Sequence, residues 1–142
     1  YFDSGAERAH HRIAHSSDPG RQARIAYTYL HVLIVAGIIV SAVADELVLV
    51  HPQHASQAAV LVIVGGPWLF LLGCALFKWV MNERPLPPLS HLAGLAALLL
   101  LLPAAWNQWF SALALGSLTT LVMLLVAAWE TLALRERAAS RQ

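Results

Sequence analysis

Asp45 and Glu46 stand side by side inside a long apolar run, and His31 lies fourteen residues upstream in the same run. Ionisable groups at membrane depth are costly, usually face protein or a water-filled cavity, and are functional candidates by default. Neighbouring residues on a helix point about 100° apart, so at most one of the two carboxylates can face a given interior point. Fourteen residues bring a helix back to nearly the same face after about four turns. Tyr27, His31, Asp45 and Glu46 are therefore the candidate polar path, with Thr28, Val35 and Ala42 completing a weakly polar stripe. The chemistry would be gathering and passing protons or cations. The plainer alternatives are a His31 that only bonds a neighbouring helix, and carboxylates that only reach the headgroup region.

Glu130 is a second candidate. It falls at roughly the depth of Arg24, Lys78 and His31, and a carboxylate there will seek a cation. Arg24, Lys78 and Glu130 form the candidate interfacial ion pair, either a static clamp or a proton-relay or gating pair. Glu7, His11 and His15 recur at intervals of four, but their ends lie ~12 Å apart on a helix, too far to share one metal. No metal site is assigned. His31 and His91 facing one another could ligate haem. His91 opens the third apolar run, however, and no second histidine pair lies within the runs, so no cofactor is expected. Nothing resembles a nucleophile with its base or a phosphate loop, which argues against an enzyme. A membrane-embedded enzyme acting on lipid stays open as a minor alternative.

The elements that must position these residues are apolar helices. Of 142 residues, 58% are hydrophobic and 12% charged, about half the charge of an average soluble domain. About 20 apolar residues cross a bilayer core. Four such runs are present, at about 27–50, 58–80, 89–105 and 110–134. They predict an all-α polytopic bundle, residues 19–134, with a surface segment at 1–18 and a basic tail at 135–142. The first run, which holds the stripe, is expected to be the centre, with the other three as its walls. Gly65, Gly66 and Pro67 predict a helix break or kink in the second, because Pro67 cannot donate to the carbonyl four residues back. The third is apolar on every side. Gly116, Ser117, Thr119 and Thr120 in the fourth would permit close packing.

Charge sets the expected orientation. Arg8, Arg12, Arg21 and Arg24 precede the first run; Lys78 and Arg84 follow the second; Arg135, Arg137 and Arg141 follow the fourth. These are all nine Lys and Arg. They fall on one side, so the positive-inside rule puts both termini and the 81–90 loop in the cytoplasm. Trp106 and Trp109 would mark the outer interface, Trp79 and Trp129 the inner one, with only Trp68 deep. The net charge of +1 gives no case for nucleic acid. The single cysteine, Cys74, excludes an internal disulfide and a CxxC site. Upstream, Ser4 and Glu7 fit a capping box on a short surface helix, and Asp18-Pro19 suits the start of the next.

Tyr1-Phe2-Asp3, the run AHHRIAHSSDPGRQARIAYTYLHVLIVAGI and the later GGPWLFLLGCALF resemble the low temperature requirement A (LtrA) family of bacterial membrane proteins. The resemblance is strongest over residues 1–80. It carries over onto Tyr1, Phe2, Asp3, His15, Asp18, Pro19, Arg21, Ala26, Tyr27, His31 and Gly37, and onto Gly65, Gly66 and Pro67. Family members are longer, so the chain reads as the C-terminal part of one, beginning at Tyr rather than Met. Upstream helices of the same protein are then partners, together with the lipid bilayer and, as an open option, a second copy in a homo-oligomer. The resemblance implies membrane location and bacterial origin, and no reaction. A transporter- or channel-like module for a small solute or ion, with proton coupling open, is the function expected. A non-catalytic scaffold or sensor in low-temperature or envelope adaptation is the alternative.

Overall fold

The computed structural model describes residue 20, residues 24–81 and residues 86–139. The surface segment at 1–18, Pro19, Arg21, Arg84 and the last residues of the tail lie outside the described residues, as do the side chains of Tyr27 and Arg137. The described residues are helical, with no strand among them. A π-helical segment, Ile25–Leu30, runs directly into α1, His31–Val50. Three more helices follow: α2, Gln57–Met81; α3, Leu89–Trp106; and α4, Ala112–Ala139. All four are long and apolar enough to cross a membrane.

Local chemistry fixes where they start and stop. Ser56 and Ser111 cap α2 and α4: their hydroxyls accept from the N–H of Ala59 and Ala114, both at 3.2 Å. α1 ends at His51, and Pro52 behind it cannot continue a helix. α3 closes in a Schellman motif. Gln108 N–H donates to Ala105 O at 3.0 Å and Trp109 N–H to Ala104 O at 3.1 Å. Gln108 sits at the left-handed position of that motif, φ 60°, where glycine is usual. Its side-chain amide donates to Ala55 O at 2.9 Å, which offsets part of the conformational cost. Leu113 N–H donates to Pro52 O at 3.0 Å. The two loops at this end of the bundle are thus stitched together.

The centre of the bundle is α2, not the expected α1. α2 contacts every other helix, while α1 and α3 do not meet among the described residues. The fully buried side chains Val60, Ile63, Val64, Leu98 and Leu115 come from α2, α3 and α4. α1 buries only one edge, Gly37, Ala44 and Val48. The reason is close approach. A Cβ on Gly37 would lie 2.6 Å from Phe70 Cα, and one on Gly66 would lie 2.7 Å from the Ser41 backbone N. On Gly73 it would lie 2.7 Å from Ile34 Cγ1. Helices in lipid gain little from hiding apolar area from one another, so backbones that can touch associate through packing. The seam is therefore made by glycines of α1 and α2. Gly116 of α4 would meet Val48 only at ordinary contact distance, 3.4 Å.

The expected break at Gly65, Gly66 and Pro67 does not interrupt α2, which passes through all three as one helix. The missing Pro67 N–H still leaves the Ile63 carbonyl without its partner four residues on. Neighbouring helices let a transmembrane helix tolerate this, and Gly66 is held against α1 at that level.

Candidate functional site

Among the described residues, two polar places within the bundle stand out, and the fold builds them differently. The first is an open groove of about 410 Å³ between α1, α2 and α4. Ser41 and Asp45 of α1, Ile63 and Pro67 of α2, and Thr119 and Thr120 of α4 line it, with apolar neighbours. Their depths agree. Asp45 lies about 8 Å from the end of α1, Ile63 about 9 Å from the start of α2, and Thr119 about 10 Å from the start of α4, at 1.5 Å per residue. These three helix ends lie on the same side, because the short loops make the helices run up and down.

The alternation of faces decides which carboxylate takes part. Both residues are exposed, but Asp45 lines the groove and Glu46, one residue on, does not. His31 does not join them. It lies about 21 Å below Asp45 along the helix, and its ring meets Phe77 of α2 edge-on, with centroids 6.3 Å apart. The stripe of α1 is thus split: Ala42 and Asp45 face the groove, and His31 packs at the other end. The structure does not bring His31 and Asp45 into one cavity. Both threonine hydroxyls are already committed as donors. Thr119 Oγ1 and Thr120 Oγ1 each donate to Gly116 O at 2.9 Å, so toward the groove their oxygens can act only as acceptors.

The second place is a closed cluster at the opposite end. Lys78 of α2 forms an ion pair with Glu130 of α4. His91 of α3 completes it, with Nε2 3.4 Å from Lys78 Nζ and 3.9 Å from Glu130 Oε2. Its Nδ1 lies 3.2 Å from Ser90 Oγ. A lysine has donors only, so Nε2 accepts from Lys78, and Nδ1–H is then free to donate to Ser90. His91 is 3% exposed. Arg24, weighed as a partner for Glu130, is exposed on the segment before α1.

Sequence reasoning missed His91 as the third member of this cluster. The available signal was its depth: it follows the loop that Lys78 precedes, and so returns to the level of Lys78 and Glu130. Trp68 packs against the core, and its buried indole Nε1 has no hydrogen-bond partner among the described residues. Trp79, Trp106, Trp109 and Trp129 are all exposed, as side chains at an interfacial belt would be.

Comparison with known proteins gives the lineage. Residues 1–128 match the family described as Bacterial low temperature requirement A protein (LtrA). A curated relative is an uncharacterized protein of Rhizobium meliloti (strain 1021), 37% identical over 139 residues. The match covers 95% of this chain and 32% of that relative, so the chain spans about a third of the relative's length. No solved structure matches. With the family pattern extending through α1, α2, α3 and most of α4, and with four helices able to cross a bilayer, the chain belongs to the bacterial LtrA family and is a multi-pass membrane protein.

Proposed function

We propose that this chain is a transporter- or channel-like module of a bacterial inner-membrane protein, carrying a small solute or ion. The observation that supports it is the groove. A carboxylate, three hydroxyl-bearing residues and the proline of α2 line one groove within the outer half of the spans. Such residues are expensive in lipid, and helix irregularities at that depth occur where they line a cavity. The clustering of every Lys and Arg on one side of the four spans supports cytoplasmic termini. Asp45 would then lie toward the outer face, and the Lys78–His91–Glu130 cluster toward the inner.

A solute- or ion-dependent flux into proteoliposomes tests the reading. Asp45→Asn, normalised to folded protein, is expected to abolish most of it. A cysteine at Gln53 in the same sealed, right-side-out vesicles is expected to label from outside. Full flux in the Asn variant, or labelling of Gln53 only after the vesicles are opened, would sink this reading. The scaffold reading has its own support: the ion cluster is internally paired and the α1–α2 seam is tightly packed, both features of a rigid frame. It predicts unchanged cold or envelope phenotypes when Asp45 is neutralised.

A further inference from the structure

We infer that the groove between α1, α2 and α4 is a binding site for a single monovalent hard cation, Na⁺ in the first instance. The inference uses the same groove as the proposed function but does not need transport to occur.

The composition of the lining carries it. The hydrogen-bonding side chains that line the groove all bear oxygen, Ser41, Asp45, Thr119 and Thr120, beside the one thioether of Met123. No lysine, arginine or histidine lines it. Hard cations are held by carboxylate, hydroxyl and carbonyl oxygens, whereas imidazole and thiolate favour transition metals. One carboxylate supplies one negative charge, which a monovalent ion neutralises and a divalent ion would overfill.

The direction of the hydroxyl protons is the second observation. Thr119 and Thr120 both spend their hydrogens on Gly116 O. Their oxygens therefore present lone pairs, suited to a cation and unsuited to an anion that needs donors.

The third is the backbone. Pro67 deprives the Ile63 carbonyl of its helical partner, and both residues line the groove. Ion-coupled carriers hold Na⁺ with backbone carbonyls of discontinuous helices; α2 is continuous, and Pro67 leaves one carbonyl at this level without its helical N–H. A carboxylate and three hydroxyl-bearing residues thus line one open groove, by which an ion can enter, and the residue whose carbonyl Pro67 frees lies in the same lining. The neighbouring Glu46, outside the groove lining, is an internal control with the same charge.

The test uses purified protein in nanodiscs at fixed ionic strength and pH. Thermal unfolding and ²²Na⁺ binding are read in NaCl, KCl and N-methylglucamine chloride. Na⁺ is expected to bind with one ion per chain and to raise the unfolding midpoint above that in N-methylglucamine. Asp45→Asn is expected to weaken binding at least about tenfold and to erase the shift. Thr120→Val, a shape-matched loss of one oxygen, should weaken it measurably, while Glu46→Gln leaves it unchanged. Should Asp45→Asn not fold, the Thr120→Val comparison decides. Equal midpoints in all three salts would overturn the site. So would a response to pH alone, which would make the ligand a proton, or equal loss in Glu46→Gln. Sodium binding with no flux would leave this inference standing and end the transport reading; flux without sodium binding would do the reverse.

Discussion

The closed cluster of Lys78, His91 and Glu130 and the open groove at Asp45 place charge in the same bundle under opposite rules. In the cluster, the charges of Lys78 on α2 and Glu130 on α4 meet across helices, and the neutral His91 of α3 accepts from Lys78. In the groove, one carboxylate faces acceptor oxygens and an open space. Charge that is already paired holds helices in register. Charge surrounded by acceptors lowers its energy only when something arrives. The difference separates a part that maintains the fold from a part that waits for a ligand, without any appeal to residue type.

Lys78→Met tests the contrast hardest. It leaves the half-buried Glu130 and the buried His91 without their cation, and breaking such a pair from one side costs about 3–5 kcal/mol when burial is complete. Lys78 and Glu130 keep side-chain exposures of 23% and 17%, so solvent screening should bring the loss toward the lower end of that range or below. Unfolding in mixed micelles reads it. A loss under about 0.5 kcal/mol would show that the cluster is not a clamp, and the comparison would fail on its closed side.

Gly37→Ala comes next. Its added methyl meets the backbone of Phe70, which cannot rotate away as a side-chain tip could. Overpacking of this kind costs about 1–3 kcal/mol. The same substitution at Gly65 meets nothing within 4 Å and is the matched control, expected to be neutral or slightly stabilising. Equal effects at the two glycines would mean that α1 is not seated on α2 as described.

Asp45→Asn is expected to change stability least, by less than about 0.5 kcal/mol, as for surface substitutions that break no pair. It therefore sharpens the comparison: a large loss of flux or ion binding with little loss of stability belongs to a ligand site. A destabilisation as large as that of Lys78→Met would instead make the groove part of the packed frame.

The four spans were legible in the sequence because blocks of about 20 apolar residues have few other fates. Which helix lies at the centre was not. Charge drew attention to the first span, yet glycines at Gly66 and Gly73 let α2 be approached closely from α1, and its other faces fill the core. Their spacing of seven residues was a readable signal of one helix face, obscured because Gly65-Gly66-Pro67 suggests a break. Close packing was expected of Gly116, Ser117, Thr119 and Thr120; there Gly116 makes only ordinary contact, and the hydroxyls of all three other residues return to their own helix. Asp45 and Glu46 could be told to diverge, but not which would face inward. That depends on the angle at which α1 meets α2, a property of two helices together. His91, weighed only as a haem ligand, was missed in the cluster for the same reason: its partners Lys78 and Glu130 come from two other spans.

The position of α2 also bears on how the chain is made. α1 and α3 each touch α2 yet not one another among the described residues. The glycine seam is therefore complete once the second helix has left the ribosome, with nothing owed to later spans. α3 then adds to an existing hairpin, and α4 arrives last to close the ion cluster and to dock on Pro52. Because most contacts join neighbours in the sequence, little loop entropy has to be overcome before each partner is found. An order of insertion is written into the packing. A carboxylate at Glu130 meets its lysine only once the fourth span has joined the second, so the half-buried pair is neutralised after the glycine seam has formed.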